Sequence, residues 1–127
     1  MRIACSIVQN VIRLLGVVLL VVGFLFWTRH ALELIPFHRA LGIVLVVLLW
    51  FLSGLGFAAR LKPGLVIAGF CWGLLTLYFG LIMQQLLPGR AHEVIRVAHF
   101  LIGLGAIGVA EAIAGRTRRT LAALPRA

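Results

Sequence analysis

Two histidines sit in matching surroundings: His38-Arg39-Ala40-Leu41-Gly42 and His99-Phe100-Leu101-Ile102-Gly103 both read His-x-x-aliphatic-Gly at the head of a long apolar run. Imidazole is a ligand for transition metals and for haem iron. A glycine four residues on lies one helical turn along the same face, and it removes the side chain that would block a flat macrocycle. The spacing therefore allows the pair to clamp one cofactor between two helices. In hydrocarbon a histidine is costly and needs a partner.

The elements that must position these residues follow from composition. The chain is 63% hydrophobic and 12% charged, with a mean hydropathy of +1.15, whereas an ordinary soluble domain is about one quarter charged. An integral membrane protein is expected, all-α, and 127 residues leave room for a single transmembrane domain over 1–127. Four apolar stretches run from Val11 to Trp27, Leu41 to Ala59, Leu65 to Leu87 and Val97 to Ala114. A span needs about 20 apolar residues. The first stretch reaches that length if Arg13 snorkels back to the headgroups. It has a basic start, but no small-x-small cleavage site follows it, so it reads as a retained helix, not a signal peptide. Cys5 and Cys71 read as small apolar residues, with no disulfide framework and no lipoprotein signal.

With four spans, both termini share a side. That side collects Arg2, Arg13, Arg60, Lys62, Arg116, Arg118, Arg119 and Arg126, against Arg29, Arg39, Arg90 and Arg96 on the other. The imbalance favours both termini in the cytoplasm, and a bacterial inner membrane is the expected location. The net charge of +9 is scattered over loops that flank spans, which suits lipid headgroups and not nucleic acid. All four histidines then fall on the outer side. Arg29 to His38 and Arg90 to His99 share the order basic, His, Glu, aliphatic pair, His. The repeat predicts a four-helix bundle of two similar helical hairpins, related by an approximate twofold axis along the membrane normal. His38 and His99 would then face each other across the bundle.

A His at the outer end of the second helix, followed by Arg, with another at the matching place on the fourth, resembles the haem-binding four-helix half-unit of the heme A synthase family, and more loosely the membrane b-type cytochromes. The matching residues are His38, Arg39 and His99, with Glu33 as a counterpart of the acidic residue before the second helix. The family has two four-helix units and this chain has one, so the resemblance implies single-haem binding and not a complete synthase. It implies haem b, with His38 and His99 as metal ligands.

The remaining residues are compatible with that expectation. His38 shares a face with Gly42, Leu45 and Leu49, and His99 with Gly103, Ala106 and Ala110. Arg29, Arg39, Arg90 and Arg96 lie at the level where haem propionates would meet an Arg fork. Bis-imidazole ligation leaves iron no open position and favours electron transfer. Gln84 and Gln85, read as the last turns of the third helix, face the histidine side, where a quinone is one ligand they suit. Glu111 is expected to pair with Arg116 at the inner interface. Gly69 and Gly73 form a small-xxx-small pair, extended by Gly80, for bundle packing or a homodimer seam. Trp27 suits an interfacial belt, while Trp50 and Trp72 fall deeper as packing residues. Pro63-Gly64 and Pro88-Gly89 mark turns.

Hydrolase and transferase motifs are missing: there is no Gly-x-Ser-x-Gly, phosphate loop or Cys-x-x-Cys. At most the chain is a redox protein. Three readings stay open. In one, His38 and His99 ligate haem, supported by Arg39, Arg96, Gly42 and Gly103, with a quinone or another redox partner. In the second, three or four histidines hold bare copper or zinc. In the third, the histidines are interfacial and the chain is a cofactor-free accessory or structural subunit, packed in a homodimer or a larger membrane complex.

Overall fold

The computed structural model describes residues 1–87 and 89–123. Pro88, read above as part of a turn, and Arg126, counted with the inner charges, lie outside the described residues. Four long helices dominate: α1 (Arg2–Trp27), α2 (Ile35–Ala58), α3 (Pro63–Ile82) and α4 (His92–Ala123). Short 3-10 turns at Leu32–Leu34, Met83–Gln85 and Gly89–Ala91 join them, and no strand occurs among the described residues. Each long helix, with its flanking turn where it has one, is long and apolar enough to cross a membrane. The helices form a ring in chain order that α4 closes against α1, and α2 also meets α4 across the diagonal.

Helix ends depart from the apolar stretches because hydropathy stops at charges whereas a helix stops at backbone signals. α1 begins at Arg2, nine residues before the expected span. Cys5, Val8 and Ile12, at i, i+3 and i+7, are buried with Gln9 between them, although Gln9, Asn10 and Arg13 break the apolar run. α4 runs to Ala123, past the expected end at Ala114. Its Arg, Ala and Leu residues are good helix formers, so Arg116-Thr117-Arg118-Arg119 stays helical. α2 begins earlier, at Ile35, with Pro36 in its first turn, and α3 begins on Pro63, where a missing N–H costs nothing. α3 ends at Ile82, five residues short of expectation, so Gln84 and Gln85 lie in a 3-10 turn and not in the helix.

α1 and α2 end the same way. Arg29 and Arg60 both take φ 59°, and the following amides of His30 and Leu61 donate to Leu25 and Gly56 at 2.8 and 3.0 Å. This is the Schellman closure, made here with arginine in the left-handed position where glycine is usual.

The core is concentrated in the half of the bundle remote from the histidines. Cys5, Ile12, Leu49, Leu52, Ala106, Ala110 and Ile113 are almost wholly buried there. Small residues on α4 let the helix backbones approach. Gly69 has no room for a Cβ because Ser53 and Ile113 fill the space, and Gly73 is closed by Trp50. The Gly69/Gly73 face is therefore occupied within the chain, by α2 and α4. Gly80 leaves that seam and meets His99 instead.

Candidate functional site

Above this packed half the bundle is hollow. A cavity of about 580 Å³ is lined by residues of all four helices, among them His38, Arg39 and Gly42 of α2 and Arg96, His99 and Gly103 of α4. This volume falls within the range of roughly 300–1,000 Å³ in which proteins hold cofactor-sized ligands. The two imidazoles face each other from α2 and α4 with ring centroids 6.3 Å apart and planes inclined at 54°. Packing holds each ring. Phe26 of α1 meets His38 edge-on at 5.3 Å, and Phe79 of α3 stacks on His99 at 6.2 Å. Gly23 and Gly80 stand opposite the rings: a Cβ there would lie 3.6 Å from His38 Cε1 and 3.5 Å from His99 Cε1.

The Nδ1 atoms of His38 and His99 are buried and have no hydrogen-bond partner among the described residues. Buried polar atoms are normally satisfied, so these rings are placed without a protein group to hold their polar edges. Gly42 and Gly103 border open space, with nothing within 4 Å of where a Cβ would stand. A metal held about 2 Å from one nitrogen of each ring, with roughly a further 1.2 Å from nitrogen to ring centre, puts the centroids about 6.4 Å apart. The observed spacing leaves room for one metal centre between the two rings where a nitrogen of each points inward, and the open faces at Gly42 and Gly103 would admit a flat ligand around it. That spacing and that open space are compatible with a haem.

The other expected residues divide. Arg39 is exposed and Arg96 half-buried at the wall of the cavity, where Arg96 also pairs with Glu93 at 2.8 Å. Arg29, Arg90 and Glu33 are not among the lining residues. Gln84 lines the cavity and Gln85 does not. His92 also lines it, its Nδ1 3.1 Å from the Leu86 carbonyl, whereas His30 turns to Thr28 Oγ1 at 3.0 Å. The expectation that three or four histidines meet around a bare metal is not met: among the described residues no three His, Cys, Asp or Glu side chains gather in a group that could hold an ion. His30 and His92 are instead bound to local loop groups.

Glu111 corrects a second expectation. It pairs with Arg13, whose Nε and Nη2 donate to its carboxylate at 2.6 and 2.8 Å, and not with Arg116. Five residues along a helix place Arg116 on a different face from Glu111, while α1 lies directly alongside. Arg13 is accordingly held by this carboxylate and does not simply reach for headgroups. Gln9, almost wholly buried, donates to Glu111 Oε2 at 2.6 Å and accepts from Arg118. Sequence reasoning missed Gln9, Gly23, Phe26 and Phe79, and assigned Gly80 to helix packing, not to His99. Their partners lie on other helices, and only the relative register of those helices brings them together.

Comparison of the chain with family models, with curated proteins and with solved structures gives no match.

Proposed function

We propose that the chain is a small multi-pass protein of a bacterial inner membrane that binds one b-type haem between α2 and α4 and serves in electron transfer. The observation that carries this reading is the His38–His99 pair, 6.3 Å between centroids, in a four-helix cavity with buried, unpartnered Nδ1 atoms. Two protein ligands are too few for the tetrahedral sites of zinc, but they are the full complement that a haem iron takes from its protein. His38 and His99 would hold the metal. Gly42 and Gly103 leave room for the macrocycle, and Arg39 and Arg96 are cations placed for its carboxylates. A haem held by both imidazoles would supply a reversible one-electron couple. The chain's own part is to hold the ligands apart at a fixed distance, to keep water from the apolar walls, and to offer charge at the rim.

The two-hairpin reading is supported by the way Gly23 opposes His38 as Gly80 opposes His99, one glycine–histidine pair from each successive pair of helices. Both termini are assigned to the cytoplasm on the charge imbalance. The haem reading resembles the half-unit of the heme A synthase family in its ligand positions and in nothing larger. Its test is substitution: His38→Ala and His99→Ala are each expected to abolish the haem absorption of the purified protein while helical circular dichroism and monodisperse elution persist. A native spectrum in either variant would contradict it.

A further inference from the structure

We infer that Trp50 and Trp72 are positioning residues whose indole N–H groups, bonded to backbone carbonyls of neighbouring helices, set the separation of His38 and His99. This deepens the haem reading, taking the two histidines as the ligand pair and naming what fixes their distance. Trp72 Nε1 of α3 donates to the Ile102 carbonyl of α4 at 2.9 Å, three residues beyond His99. Its ring fills the space over Gly105, where no Cβ fits. Trp50 Nε1 of α2 donates to the Phe70 carbonyl of α3 at 3.1 Å, its ring over Gly73.

α3 accepts one bond at Phe70 and donates the other from Trp72, within one turn, so it is tied on one side to the helix carrying His38 and on the other to the helix carrying His99. Thr76 Oγ1 donates to the Trp72 carbonyl at 2.8 Å and fixes the turn that leads on to Gly80, the residue against His99. Interior carbonyls of a helix already serve that helix, so an indole that seeks one out marks a register. Sliding either helix by one residue moves the acceptor about 1.5 Å along the axis and breaks the bond. Inside lipid no water replaces it.

The test reads distance without a cofactor. In a Cys5→Ala, Cys71→Ala background, His38→Cys and His99→Cys put two thiols where the imidazoles stand, and dibromobimane fluoresces when it joins them. Trp72→Phe and Trp50→Phe keep a ring and delete the donor, and Gly105→Ala unseats the indole but keeps it. Each is expected to lose most of the cross-linking, whereas Tyr78→Phe, at an exposed residue, retains it. With both histidines intact, the Trp variants are expected to bind haemin roughly tenfold or more weakly, the scale of losing support behind a metal ligand. Full cross-linking in folded, monodisperse Trp50→Phe and Trp72→Phe protein overturns the inference. Cross-linking lost in those variants, with no haemin bound by the native chain, keeps the inference and overturns the haem reading.

Discussion

An unsatisfied polar atom buried in a protein costs about 1–3 kcal/mol, and His38 and His99 each carry one at Nδ1. The four-residue step from each histidine to its glycine brought His38, Gly42, His99 and Gly103 to the cavity wall, because one turn of helix is a local rule that needs no tertiary knowledge. Phe26, Phe79 and Gly23 obey no such rule, and their contacts with the histidines, like that of Gly80, became visible only once α1 and α3 had a register against α2 and α4. The open space at Gly103 gives a prediction. Gly103→Leu drives a branched side chain into the cavity without touching the packed half, because nothing lies within 4 Å of where its Cβ would stand. Haem uptake is expected to fall roughly tenfold or more in a protein that still elutes as the native one does. Unchanged uptake would mean that the ligand lies elsewhere.

Among the elements, α1 and α4 have no loop between them, so their contact rests on side chains alone. Gln9, Arg13, Glu111 and Arg118 form a polar clasp across that seam, close to Cys5, whose thiol approaches the Ala114 carbonyl at 3.7 Å. Polar contacts between membrane helices bind because few other partners exist in hydrocarbon. Gln9→Ala removes the middle of the clasp and opens a gap at a buried position. It is expected to lower stability by about 1–3 kcal/mol, read as a lower thermal midpoint in detergent, and Gln9→Leu, which restores volume, should lose less. An unchanged midpoint in Gln9→Ala would show that the clasp contributes nothing. Four apolar stretches were legible in the sequence, but which helix faces meet was not, and Glu111 illustrates why. Arg116 lies nearer along the chain, yet on another face of α4, whereas Arg13 is 98 residues distant and directly opposite.

As a whole the molecule is divided along its length. One half is packed on small residues and closed by the polar clasp. The other is hollow and holds the histidines. Large apolar side chains such as Leu14, Phe24 and Phe57 are 66%, 67% and 72% exposed around the outside, far beyond what a soluble monomer presents to water and suited to hydrocarbon. α4, with 32 residues, is about 48 Å long against a hydrocarbon core of about 30 Å, so its arginine-rich end extends past the apolar layer. A packed half beneath a hollow one is an arrangement that suits a ligand held at fixed depth. The most direct measurement is the visible spectrum of the native protein, purified in mild detergent from haem-replete cells, oxidised and then reduced with dithionite. A Soret band that sharpens and shifts on reduction, at one haem per chain, is the expected result, and a colourless protein that takes up no added haemin would contradict the assignment of His38 and His99 as haem ligands.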